Sequence, residues 1–128
     1  MKEVQILWES KNEKIVIEYL YDIEGYFTLA VYVQSGWFSG KSNFCIAQDK
    51  VNELNSLVKE VELNLEGCIK IEDCDSDAHV VIEASKLGHF NVSGQIGSSY
   101  EEQNMNFKFV ADQTLLKNMS ELFVKIVS

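Results

Sequence analysis

The sequence predicts an α+β fold: an antiparallel β-sheet with two helices packed on one face, built as a tandem ββββα repeat. Three observations predict it. Alternating apolar rows dominate each half of the chain, as pleated strands require. Each half ends in a stretch with apolar residues at helical spacing. A single offset of 63 places Ile6 on Ile69, Gly25 on Gly88, Phe27 on Phe90, Ser35 on Ser98, Asn43 on Asn106, Phe44 on Phe107, Asp49 on Asp112 and Val61 on Val124. Helices that follow runs of strands favour antiparallel pairing over a parallel α/β sheet. The repeats span 1–64 and 65–128 of one domain.

The elements follow in order. Ile15, Ile17, Tyr19 and Tyr21 alternate as one strand, and Asp22-Ile23-Glu24-Gly25 is its turn. Phe27, Leu29, Val31 and Val33 form the next row, which Ser35-Gly36 breaks. Phe44 and Ile46 mark another strand. Asp49 is positioned to cap a helix carrying Val51, Leu54, Leu57, Val58 and Val61, with Gly67 beyond its end. In the second half, Ile69 and Ile71, then Val80, Ile82 and Ala84, then Phe90, Val92, Gly94 and Ile96, then Phe107 and Phe109 mark strands. Asp112 caps the last helix, whose stripe is Leu115, Leu116, Met119, Leu122, Phe123 and Ile126. The opposite strand parity holds Tyr26, Thr28, Tyr32 and Gln34, then His89, Asn91, Ser93 and Gln95. That second face is polar, and an antiparallel sheet tolerates one solvated face.

At 128 residues and 14.6 kDa the chain is long enough to bury roughly 14,000 Å² on folding, without metal or disulfide staples. Eleven lysines oppose 20 acids, giving a net charge of −9, and there is no arginine or proline. Nucleic acid is not an expected partner, because phosphate affinity comes from clustered cations. No uncharged apolar run is long enough to suggest a membrane-spanning helix, so no membrane span is expected. The first residues are too charged for a secretory signal, and the expected compartment is the cytoplasm. Three cysteines, Cys45, Cys68 and Cys74, without CxxC spacing do not read as a disulfide framework.

Chemical motifs are sparse. Neither His79 nor His89 has a local nucleophile signature, and no G-x-S-x-G, Walker loop or G-x-G-x-x-G is present. No catalysis and no cofactor is expected. Asp73, Asp75 and Asp77 copy the start of a calcium loop, but Ala78 and Ala84 stand where glycine and a bidentate glutamate are needed. Cys68, Cys74, His79 and His89 have zinc-ligand types without a zinc-site spacing, so no metal is expected. The run Glu72–Asp77 reads instead as an acidic hairpin turn. From Glu53 to Asp77 eight acids face two lysines, a net of −6, two thirds of the charge of the chain. Such a field suits either a solvated surface or the docking of a basic protein.

Four segments then carry a family resemblance. They are Gly36-Trp37-Phe38-Ser39-Gly40, Gly67 opening a strand, Gly88-His89-Phe90-Asn91-Val92-Ser93-Gly94, and Phe107-Lys108-Phe109 running into Asp112-Gln113-Thr114-Leu115-Leu116. In order and spacing, from Tyr26 to Phe123, the chain resembles the WapI-type bacterial immunity proteins, which protect a cell from its own contact-dependent toxin. The resemblance implies a small cytoplasmic binding protein that neutralises a cognate toxin domain stoichiometrically, often a nuclease. The motif residues themselves read as structural. For contact with a basic toxin, the acids Glu60, Glu62, Glu66, Asp73, Asp75 and Asp77 are the first candidates. Trp37 and Tyr100 are the aromatic candidates, although their shared offset of 63 also suits two core positions. The alternative function is an interaction module or regulatory subunit using the polar sheet face around Tyr26, Tyr32 and His89. On the acidic-patch reading, reversing Asp73, Asp75 and Asp77 to lysine is expected to cripple neutralisation and leave thermal stability nearly unchanged.

Overall fold

Glu24-Gly25 and Leu87-Gly88 are the two places, among the described residues, where consecutive residues both have positive φ (51° and 84°, then 60° and 76°). That is the type I′ signature, whose twist matches the strands it joins. In the computed structural model, which describes residues 3–127, each turn closes the central hairpin of a four-stranded antiparallel sheet. The first sheet runs β1 (Glu3–Glu9), β2 (Glu13–Ile23), β3 (Tyr26–Ser35) and β4 (Phe38–Ala47), and leads into α1 (Gln48–Asn64). The second runs β5 (Cys68–Glu72), β6 (His79–Ala84), β7 (His89–Ile96) and β8 (Met105–Asp112), and leads into α2 (Thr114–Val127). Strand order is sequential in both. The α+β class and the ββββα repeat are therefore present, with the strands divided between two sheets.

The central hairpins are true equivalents. Ile17 faces Val31, and at the same offset Val80 faces Gly94; Tyr19 faces Leu29, and Ile82 faces Val92. The outer strands drift. Ile46 sits opposite Phe27, but Phe109 sits opposite Val92, two positions past the equivalent Phe90. The cause is the connection: Gly36-Trp37 joins β3 to β4, whereas residues 97–104 join β7 to β8. A two-residue turn pins register and a longer loop does not.

The inward rows behave as their parity predicts. Phe27, Leu29, Val31 and Val33 are buried, as are Phe90, Val92, Ile96, Phe107 and Phe109. They join all six predicted α2 residues and Val51, Leu54, Val58 and Val61 of α1 in one core drawn from both repeats. Leu57 is only half-buried. The helices pack on one another, and each also lies along the first strand of the other repeat, α1 beside β5 and α2 beside β1. Asn118 of α2 donates to the Leu7 carbonyl (3.0 Å), and Lys125 of α2 pairs with Glu3 (3.9 Å). Since β1 is an edge strand, these contacts cover backbone that would otherwise invite pairing with another chain. No helix among the described residues is long and apolar enough to cross a membrane.

Three local expectations are corrected. Ile6 and Ile69 match in sequence but not in direction: Ile69 is buried and Ile6 is 43% exposed, while Leu7 is fully buried. A bulge between Ile6 and Trp8 shifts the inward row onto Leu7. A second bulge between Tyr19 and Tyr21 turns Tyr21 out to solvent, and β2 continues through Asp22 and Ile23 so that only Glu24-Gly25 forms the turn. Asp49 does not cap α1. The strand passes straight into the helix at Ala47, which has no capping side chain, and Asp49 Oδ1 accepts from the Lys50 amide instead. Asp112, by contrast, accepts from the Thr114 amide at 2.8 Å and caps α2 as expected.

Gly94 shows why a glycine stands inside β7. A Cβ there would lie 2.1 Å from the His79 carbonyl oxygen, a backbone atom that cannot step aside. Gly94→Ala is expected to abolish folding or lower the urea midpoint severely, whereas Gly25→Ala, in open space, should cost about 1 kcal/mol. The bulge assignment is checked by Leu7→Ala, which should cost about 2–5 kcal/mol in urea unfolding, against less than about 1 kcal/mol for the half-exposed Ile6→Ala.

Candidate functional site

The acidic run Glu72–Asp77 is a hairpin loop between β5 and β6, as its sequence predicts. Its carboxylates are not equivalent. Asp73 Oδ1 accepts from the Cys45 amide of β4 (2.9 Å) and the Asp75 amide (3.2 Å), and Oδ2 accepts from the Ser76 hydroxyl (2.6 Å). The Cys74 amide donates to the Cys45 carbonyl at 2.9 Å. Asp73 therefore ties the loop of the second repeat to a strand of the first. Asp77 Oδ1 accepts from Gln95 Nε2 (2.8 Å) and the Ser99 amide (2.9 Å), and Oδ2 accepts from the Ser99 hydroxyl. The Ser99 hydroxyl, then the Ser99 amide, hold the Asp77 carboxyl below the ordinary aspartate range. Gln95, expected on the solvated face, is instead 8% exposed, because Asp77 and the Gly97 carbonyl claim its amide.

The acids consequently divide. Asp73, half-buried, and Asp77, exposed, act as intramolecular latches, and the expectation that reversing both spares stability is corrected. Asp75 is exposed, and its carboxylate accepts only from the Cys74 thiol (3.7 Å) among the hydrogen bonds of the described residues. Glu60 and Glu66 line a hollow of about 250 Å³ at the end of α1 with Leu57, Val61, Asn64 and Gly67. Glu62 belongs to a different one, between α1 and α2, with Leu65, Gln113 and Lys117. The strand β5 separates Glu66 from Asp73, so Glu60 to Asp77 does not form one patch. The three aspartates do not converge as a calcium loop, since Asp73 and Asp77 turn to different partners.

The aromatic candidates lie elsewhere. Trp37, at the β3–β4 tip, is fully exposed, and Tyr100, in the β7–β8 loop, is 90% exposed; neither is core. Phe38, which sequence reasoning passed over, is 71% exposed beside Trp37. The bases of the two tips touch. A Cβ at Gly40 would meet Met105 Sδ at 3.0 Å, and the Gly97 amide donates to the Ser42 hydroxyl at 3.2 Å. The base of the 97–104 loop thus rests on β4, and Glu101 and Glu102 are exposed next to Tyr100 on that loop.

A large groove, about 800 Å³, runs between α1 and β5 and is lined by Tyr26, Ile46, Glu53, Leu57, Lys70 and Cys74, among others. Tyr32 instead lines a shallow cleft on the outside of the first sheet, and His89 sits at the β6–β7 turn of the second. The face around Tyr26, Tyr32 and His89 is thus dispersed. His79 Nδ1 lies 2.8 Å from the Asp77 carbonyl. The Cys74 thiol is pushed up to about 12, first by partial burial and then by the neighbouring Cys45 thiol. A thiol held protonated at neutral pH is a poor nucleophile. The zinc-ligand types Cys68, Cys74, His79 and His89 do not assemble; among the described residues Cys74 gathers with Cys45 and Asp75 instead.

Asp77 sets a pH dependence. Its carboxyl is depressed in the fold, so its contribution is present above the unfolded pKa and is lost as pH falls through the folded one. Asp77→Asn removes the charge from the acceptor of Gln95 and Ser99, and should unfold at lower urea than wild type at pH 7. The gap should narrow as pH falls through the lowered Asp77 pKa and the wild-type carboxyl becomes protonated. A gap that persists unchanged in acid contradicts the latch.

No protein-family model, curated protein or solved structure matches the chain, so the geometry above and the sequence resemblance together carry the functional reading.

Proposed function

We propose that this protein is an immunity protein that binds a cognate basic toxin domain one-to-one and blocks it without catalysis. The observation that carries the reading is the exposure of Trp37, Phe38 and Tyr100 on two loop tips whose bases touch. Large aromatic rings bury about 150–250 Å² each when covered, and Trp and Tyr dominate binding hot spots. Left exposed on loop tips, they suit a partner surface better than solvent. The net charge of −9 supports a basic partner, such as a nuclease that presents cations to phosphate. In this reading the tips hold the toxin, and Glu101, Glu102 and Asp75 act through the field that steers its approach.

The test is calorimetric titration with the toxin domain encoded beside this gene. One-to-one binding with nanomolar or tighter affinity, weakened by salt, is expected. Trp37→Ala and Tyr100→Ala should each weaken binding by about 30-fold, corresponding to about 2 kcal/mol, with melting temperatures unchanged. Asp75→Lys should slow association several-fold and leave dissociation nearly unaltered. Failure of the wild type to bind, or full affinity in both aromatic variants, overturns the proposal.

A further inference from the structure

The thiols of Cys45 and Cys74 and a carboxylate oxygen of Asp75 all lie within 4.8 Å of one another. They come from different repeats: Cys45 from β4, Cys74 and Asp75 from the β5–β6 loop. We propose that these three groups form a binding site for a thiophilic divalent cation of the zinc class. Tetrahedral zinc with Zn–S bonds of about 2.3 Å holds its sulfurs about 3.8 Å apart. Closing three ligand atoms from within 4.8 Å to that spacing takes small side-chain rotations and no backbone movement.

The backbone beneath the ligands is already braced. The Cys74 amide donates to the Cys45 carbonyl, and the Cys45 and Asp75 amides both donate to Asp73 Oδ1. Asp73 thus fixes both ligand-bearing segments from one carboxylate, the supporting role that outer groups play around metal sites. Cys45 is half-buried, whereas Cys74 and Asp75 are exposed, so the fourth position opens to water at the rim of the large groove. Binding displaces the two thiol protons to water, and the thiolates so formed select zinc or cadmium over calcium and magnesium, which take oxygen ligands. Bound there, the cation joins the two repeats.

The experiment titrates the reduced full chain with cadmium chloride and follows thiolate-to-cadmium charge-transfer absorbance. Saturation at one cadmium per chain is expected, with displacement by zinc chloride. Either metal should also raise the melting temperature, because only the folded chain brings the ligands together. Cys74→Ser, at an exposed position, should keep the far-ultraviolet circular dichroism of the wild type and weaken binding by roughly 100-fold or more. Cys45→Ser should do the same, and Asp75→Asn should weaken binding less. Cys68→Ser should change nothing, although Cys68 is exposed and lines the same groove. The proposal is overturned if no charge-transfer band appears, if Cys68→Ser weakens binding as much as Cys74→Ser, or if the thiols oxidise to a disulfide without ever binding cadmium.

Discussion

The fold depends on an exchange of helices between its two halves. A four-stranded sheet that buries only one face needs a partner for that face and cover for its edges. Each repeat meets this need with the helix of the other: α2 lies along β1 and α1 along β5. The Asn118 bond to the Leu7 carbonyl shows the exchange at atomic scale, a helix side chain satisfying an edge-strand acceptor at the bulge. Asn55 stands at the equivalent position of α1. Because the exchange is reciprocal, neither half holds a complete core, and the buried residues form one cluster.

That constraint determines where the molecule can vary. The central hairpins close in type I′ turns and keep one register in both repeats as far as Tyr19 and Ile82, beyond which the β2 bulge shifts the first by one. Variation is displaced to the ends, where β8 slips by two positions and the 97–104 loop grows out beside the β3–β4 tip. The exposed aromatics sit on those ends. The latches of Asp73 and Asp77 belong to the scaffold, since they fasten the β5–β6 loop to β4 and to the 97–104 loop.

Much of the fold was legible in the sequence, for identifiable reasons. The stripe of α2 is strongly amphipathic, and all six of its predicted residues are buried. Strand parity held through the apolar rows of β3 and β7, whose central hairpins close in type I′ turns, and it failed at Gln95, which Asp77 and the Gly97 carbonyl hold. It failed at Ile6 and Tyr21 because a bulge adds a residue without a compositional mark. The acids were harder. Asp73 and Asp77 look like Asp75 in sequence, and their roles come from partners 28 and 22 residues away. Trp37 and Tyr100 fitted both core and surface in sequence, and only the packing of the two tips separates those readings. Cys45 carried no motif, because its partners lie in the other repeat.

The central claim, that the proposed toxin partner is held by the aromatic tips, is tested most directly by amide hydrogen exchange on the chain with and without the toxin domain. The account predicts slowed exchange at residues 36–41 and 97–104, with residues 60–66 unchanged. Protection confined to the acidic end of α1, with both tips exchanging as in the free protein, would contradict it.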